Sequence, residues 1–289
     1  MRPSNLKTKI FLDSGDTEQT KAAIKLLGFL DGQTTNPSLI SKNPEAQKRL
    51  KEGQGSPDGG KKFTDEEVYA FYKNVVTELS SMMPQGSVSI EVYADSNTTA
   101  KEMFEQGKKM YQWIPNAHIK YPTTAAGLEA AENSVKAGMR VNMTLCFSQE
   151  QAAAVYAATK GAVKGQVFLS PFIGRLDDLG ENGMDLIKNI IDMYKKGDGH
   201  VEVLTASVRT LEHFMCALAL GSDIITAPYK ILKEWGEQGM PLPELKAIPA
   251  LNLDLNQPWV SFNINHELTA KGIEKFAQDW NALVALVHP

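Results

Sequence analysis

Lys120 stands inside an apolar run, AHIKYP at residues 117–122. A lysine facing inward there is costly unless it is used or paired. In such surroundings its pKa can fall, and the free amine can add to a carbonyl. Other apolar runs deliver polar residues in the same sense. Asp13 closes KIFLDS, Asn36 follows FLDGQTT, and Glu91 lies in SVSIEVY. Asn142 and Thr144 lie in RVNMTLCF, Ser170 and Phe172 in QVFLSPF, and Arg175, Ser207 and Arg209 beyond. A carboxylate near the amine could move protons. Neutral amides and hydroxyls suit a polyhydroxylated substrate. Two arginines and a serine suit a phosphate.

Taken singly, each residue has a plainer reading. Lys120 could snorkel from a strand end. Asp13 could cap a helix beginning near Asp16 or Thr17. Asn36 before Pro37 is an ordinary turn pair. Glu91 could be a lysine's structural partner, Thr144 a β-position filler, Arg175 a solvated loop residue, and Ser207 with Arg209 a helix start. Together they form a pattern that no single reading explains.

The elements that must position them alternate short apolar runs with longer amphipathic ones, the βα signature. Strands are predicted at 9–14, within 29–40, and at 87–93, 117–122, 140–147, 166–172, 201–207 and 222–228. Helices are predicted from Thr17 to Leu27, from a cap at Thr64 to about Ser80, and from Asn97 to Tyr111. Further helices run from a cap at Thr123 or Thr124 to Lys136, from a cap at Ser148, over 181–196, through Leu220, and from Pro228. Pro37 is read as the point where regular structure stops. Residues 41–63, with Lys42, Lys48, Arg49, Lys51, Lys61 and Lys62, are read as a polar surface excursion without regular structure. Eight strand–helix units imply an α/β fold, a single (β/α)8 TIM barrel over 1–289, in which strand-end residues face the active site. The turn DSGDTEQ lacks the glycine fingerprint of a doubly wound dinucleotide-binding sheet. A C-terminal extension over 241–289 ends in a long helix expected to pack across the barrel.

The 289 residues suit such a barrel. A net charge of -4 and scattered basic residues give no support for a nucleic-acid groove. No apolar window approaches a membrane span or a signal peptide, so the expected address is cytoplasmic. Cys146 and Cys216 are read as buried free thiols. His118, on the same side of its strand as Lys120, is read as structural. His200, His213, His266 and His288 stand apart, and no metal or other cofactor is expected.

The segments LDSGD (12–16), GQTTNPSLI (32–40), HIKYPTTAAGLEAAE (118–132), NMTLCFS (142–148), LSPFIGRLDD (169–178) and TASVRT (205–210) resemble the ordered strand-end motifs of transaldolases. GIEKFAQDW resembles that family's terminal helix. The resemblance implies that Lys120 forms a Schiff base with the C2 carbonyl of a ketose phosphate, and that Asp13 takes the C4 hydroxyl proton. It implies that Glu91 and Thr144 hold a proton-relaying water. Asn36 and Asn142 would bind dihydroxyacetone hydroxyls, Ser170 would stand beside the intermediate, and Arg175, Ser207 and Arg209 would bind phosphate. The partners implied are sugar phosphates, with a homodimer left open.

Three features depart from the family pattern: Tyr121 in place of a small apolar residue, TASVRT in place of a GASFRN-like run, and a longer linker at 41–63. The activity implied is a transaldolase that moves a dihydroxyacetone unit between ketose and aldose phosphates. The specific reaction is sedoheptulose 7-phosphate plus glyceraldehyde 3-phosphate giving erythrose 4-phosphate plus fructose 6-phosphate. The rival is a fructose-6-phosphate aldolase releasing free dihydroxyacetone, and Glu91 and Phe172 resemble the transferases. A catalytically idle sugar-phosphate-binding barrel would show loss of Lys120 or Asp13; both are present.

Overall fold

The structure, a computed structural model, describes residues 2–52, 62–243 and 253–284. Eight parallel strands close into a barrel in sequence order. Parallel neighbours cannot be joined by tight hairpins, so each strand is followed by a crossover, and helices clothe the outside. In chain order the elements are β1 (Lys9–Asp13), α1 (Thr17–Leu27), β2 (Gly32–Thr34), α2 (Pro37–Ser41), α3 (Pro44–Glu52) and α4 (Asp65–Met82). Then come β3 (Ser87–Glu91), α5 (Ala100–Tyr111), β4 (Ala117–Pro122), α6 (Ala125–Lys136), β5 (Val141–Cys146) and α7 (Gln149–Ala158). The rest are β6 (Val167–Pro171), α8 (Ile173–Asp177), α9 (Gly183–Tyr194), β7 (Val201–Thr205), α10 (Leu211–Leu220), β8 (Ile224–Ala227), α11 (Tyr229–Glu237) and α12 (Glu267–Leu283).

Local chemistry fixes where the helices begin. Asp16, rather than Asp13, caps α1 by accepting the Glu18 N–H at 2.9 Å. Thr64 and Glu67 form a capping box on α4, and Thr99 and Glu102 do the same on α5. Thr124 and Ser148 cap α6 and α7. Among the described residues no helix is long and apolar enough to cross a membrane.

The reading that regular structure stops at Pro37 is corrected. Asn36 caps α2 through its side chain, and Pro37 occupies the first helical turn, where a missing N–H costs nothing. The segment 41–63 is likewise not irregular where it is described: α3 carries Lys48, Arg49 and Lys51. Lys61 lies outside the described residues. A short helix, α8, also intervenes before α9. The extension 241–289 lies partly outside the described residues, but its helix α12 is present and packs against α2.

Inside the barrel the strands stack their inward side chains in layers. Phe11, His118 and Phe168 are each two residues before Asp13, Lys120 and Ser170, and so share their faces. They form a buried aromatic floor: His118 stacks on Phe168 with ring centroids 3.9 Å apart, and Phe11 meets Phe168 edge-on at 6.0 Å. His118 is held by Ser87 at 2.7 Å and the Gly165 carbonyl at 3.0 Å, and burial pulls its pKa down to about 3. It is a neutral structural ring, as its position on the strand predicts. Of the two free cysteines, Cys146 is buried but Cys216 only partly so.

Candidate active site

Register across three adjacent strands sets the centre of the site. Glu91 on β3 is opposite Lys120 on β4, and Lys120 is opposite Asn142 on β5. The Lys120 ammonium lies 2.8 Å from Glu91 Oε2, with side-chain exposures of 3% and 4%. It also donates to the Thr35 carbonyl at 3.1 Å. Glu91 is held from behind, because its backbone N–H donates to the Tyr72 hydroxyl at 3.0 Å. That hydroxyl is itself bonded to Thr35 at 2.6 Å. Burial raises the Glu91 pKa above the ordinary carboxylate value, against the pull of Lys120. The pair is a close ion contact rather than a well-angled hydrogen bond, so Glu91 Oε2 is a buried acceptor without a hydrogen-bond partner, as is Thr144 Oγ1. Buried acceptors of this kind are suited to a small hydrogen-bonding molecule.

Asp13 ends β1 with one side on the cavity and protein on the others. Burial raises its pKa, while a 2.6 Å hydrogen bond from Thr34 and the charge of Lys120 pull it back. Thr34 is bonded in turn to Thr226 at 2.6 Å. A carboxyl balanced this way can accept and return a proton.

The amides are partly engaged. Asn36 uses its carboxamide oxygen to cap α2, accepting the Leu39 N–H at 2.8 Å, which leaves its NH2 group for a ligand. Asn142 accepts from the Ser170 hydroxyl at 2.7 Å and donates to Ser89 at 3.1 Å, which leaves one amide hydrogen.

A cavity of about 260 Å3 opens above Lys120. Its lining includes Asp13, Asn36, Ser170, Phe172, Arg175 and Ser207. A larger groove of about 1120 Å3 runs beside α12, lined by residues such as Tyr93, Asp95 and Asn281. It includes none of these strand-end groups, and its size is not a guide to the chemistry.

Arg175 lies over the Phe172 and Phe276 rings, 5.5 and 5.6 Å from their centroids. Among the described residues it has no carboxylate partner and no acceptor within hydrogen-bond reach. Burial lowers its pKa from the ordinary guanidinium value. Glu91 and Asp178 act on it only through their charge, without contact, so this partly buried cation keeps its donors for an anion. Ser207 has φ 59, the left-handed region that a non-glycine residue avoids without cause. Its carbonyl accepts the Gly174 N–H at 3.2 Å, tying the β7 exit to α8.

Arg209 is not brought to the cavity. Its guanidinium is turned to Asp178, donating to both carboxylate oxygens, and its side chain is 45% exposed. Tyr121 is also turned away from the site. It is buried on the outer face of β4, 2.9 Å from Ser134 on α6, so it does not narrow the donor pocket.

The sequence did not single out Thr34, Thr226 or the contribution of α2 to the mouth, whereas α12, expected to pack across the barrel, does line that mouth. Ser38 and Lys42 line the cavity from α2 and its C-cap, and Lys275, Phe276 and Asp279 from α12. Thr34 is two residues before Asn36 in QTTNP, and this spacing was an available signal. Thr269 anchors α12 by donating to the Leu145 carbonyl at 2.8 Å. Leu145 has φ 59, at an irregularity in the β5–β6 pairing just past Thr144. Among the described residues no three His, Cys, Asp or Glu side chains converge to hold a metal.

The profile of a family described as transaldolase/fructose-6-phosphate aldolase matches residues 10–287. A probable transaldolase of Dehalococcoides mccartyi is 34% identical over 95% of this chain and 99% of its own length. One of Mesorhizobium japonicum is 36% identical over 94% and 96%. One of Herpetosiphon aurantiacus is 34% identical over 94% of each.

Proposed function

This chain belongs to the transaldolase/fructose-6-phosphate aldolase family, and from that membership we propose that it moves a dihydroxyacetone unit between sugar phosphates through a Schiff base on Lys120. The observation that carries the reading is the buried Lys120–Glu91 contact of 2.8 Å beneath a cavity that also holds Asp13.

In this mechanism the Lys120 amine, having passed its proton to Glu91 or to a water between Glu91 and Thr144, adds to the C2 carbonyl of the donor. Loss of water gives the iminium, which is the electron sink for carbon–carbon cleavage. Asp13 takes the C4 hydroxyl proton, the C3–C4 bond breaks, and the aldose leaves. The remaining enamine attacks the carbonyl of an acceptor aldose, and Asp13 returns its proton to the new hydroxyl. Hydrolysis of the iminium frees Lys120. Asn36 and Asn142 donate to the dihydroxyacetone hydroxyls, and Ser170 braces Asn142. Arg175 and Ser207, which line the cavity, take the phosphate.

The relatives named above are called probable transaldolases, and Phe172 puts a phenyl ring without a hydroxyl at the cavity wall. Both favour transfer over release of free dihydroxyacetone. The test is borohydride reduction in the presence of fructose 6-phosphate, followed by peptide mass mapping. The expected adduct is on the peptide containing Lys120. A label on another lysine, or none at all, removes the Schiff-base reading.

A further inference from the structure

A phosphate monoester carries about -1.5 to -2 charge at neutral pH. One guanidinium leaves part of that charge uncompensated, and Arg209 is engaged with Asp178 outside the cavity lining. The cavity holds other cations. Lys275 lines it from α12, next in sequence to Phe276, on whose ring Arg175 rests. The Lys275 ammonium is paired with Asp279 one turn further on. The other oxygen of Asp279 accepts the Ser38 hydroxyl of α2. Asp279 is only 17% exposed, so this clasp fixes where Lys275 stands. Lys42 also lines the cavity, but among the described residues no acceptor fixes its ammonium.

The same helix fits closely around Arg175. A Cβ on Gly272 would stand 2.6 Å from Arg175 Nη1 and 2.6 Å from Leu145 Cδ2. The helix therefore approaches the guanidinium as closely as a glycine allows.

We propose that α12 forms one wall of the phosphate site, with Lys275 as its second cation and the Ser38–Asp279 clasp as the device that holds it there. The inference rests on the sugar-phosphate reading of this cavity. Lys271 supplies an internal control. It lies one turn earlier on α12, is 61% exposed against 59% for Lys275, and is likewise paired i to i+4, with Glu267. It lines the outer groove and not the cavity.

The test compares Lys275→Gln, Lys275→Arg and Lys271→Gln with the parent. The first readout is the concentration that half-saturates borohydride inactivation, with fructose 6-phosphate and with dihydroxyacetone, which has no phosphate. The second is calorimetric binding of inorganic phosphate, which needs no turnover. Lys275→Gln is expected to raise the half-saturating fructose 6-phosphate by about two- to fivefold, the usual range for losing one half-exposed charge. Dihydroxyacetone should be unaffected, phosphate binding should weaken in step, Lys275→Arg should keep more of the phosphate affinity than Lys275→Gln, and Lys271→Gln should behave as the parent. Equal losses with both sugars, or unchanged phosphate binding, or a Lys271→Gln effect as large, overturns the assignment of Lys275. If the parent fails to trap fructose 6-phosphate, the functional reading falls instead, and phosphate calorimetry still judges Lys275 alone.

Discussion

Lys120 and Glu91 face each other in register on neighbouring strands, 2.8 Å apart and almost wholly out of solvent. Each makes the other's charge tolerable in a place where either alone would be expensive. Lys120→Met should abolish turnover and borohydride labelling while leaving a folded barrel, because burial then keeps Glu91 protonated and uncharged. Circular dichroism and a labelling assay check both halves. Residual turnover above the background of a Lys120→Met, Asp13→Asn double variant would exclude Lys120 as the nucleophile.

Asp13 gives a stability prediction with a definite sign. Its folded-state pKa is raised above its ordinary value, chiefly by burial. The native state therefore binds a proton more tightly than the unfolded chain. Stability falls as pH rises from about 3.9 through the raised value, and stays lower above it. Asp13→Asn removes that liability. It should raise Tm at pH 7 by about 2–4 °C, equivalent to ~1 kcal/mol, with the gain fading as pH falls toward 4. Activity should be lost at every pH. A Tm gain that persists unchanged at pH 4 would mean that ionisation is not its source.

The two arginines of the expected phosphate site should separate. Arg175 lines the cavity without a carboxylate partner, whereas Arg209 is half-exposed and engaged with Asp178. Arg175→Ala should cost ~2–4 kcal/mol in kcat/KM for phosphorylated donors. Arg209→Ala should cost ~1 kcal/mol or less. Steady-state kinetics with fructose 6-phosphate decides it; an Arg209 loss equal to that of Arg175 would show that Arg209 leaves Asp178 during the reaction.

The placement of the strand-end residues was legible because strands alternate and barrels present their C-terminal ends to one side. Lys120, Asp13 and Ser170 are read from that rule alone, and so is the deeper, structural role of His118. The Asn36–Pro37 pair misled because the same dipeptide can end a strand or open a helix. What decides between them is the Asn36 side chain reaching Leu39 N, a local cap that the dipeptide alone does not announce. The place of Arg209 depended on Asp178, 31 residues away in another loop. The clasp from Ser38 to Asp279 spans 241 residues, and no local pattern announces it.

Phe172 tests transfer against release. The parent should liberate little dihydroxyacetone from fructose 6-phosphate alone, and should turn over rapidly once erythrose 4-phosphate is supplied as acceptor. Phe172→Tyr puts a phenol at the cavity wall, a proton source for the enamine. It should raise acceptor-independent release at some cost to transfer. Measuring free dihydroxyacetone and sedoheptulose 7-phosphate in both proteins checks this. Parent release as fast as transfer would make the chain an aldolase.

Gly272→Ala should behave unlike an ordinary helical glycine replacement, which usually stabilises by ~1 kcal/mol. The added methyl meets Arg175 and Leu145 at 2.6 Å. Crowding of that order costs ~1–3 kcal/mol, so Tm should fall and KM for phosphorylated donors should rise. A higher Tm with unchanged KM would show that α12 can step back freely.

The span of that clasp also has a consequence for biosynthesis. A chain emerging from the ribosome presents its N-terminal elements first. Once β8 has been made, ending at Ala227, the barrel can close with Lys120 and Asp13 in place, 52 residues (279 − 227) before Asp279 is available to meet Ser38. Contacts of such long sequence separation form late, since they carry the largest loop-closure entropy. A nascent barrel therefore lacks the wall that α12 adds to the cavity above Lys120. Pulse-labelled hydrogen exchange on refolding protein should find the Thr269 and Asp279 turns of α12 protected after β4 and β5.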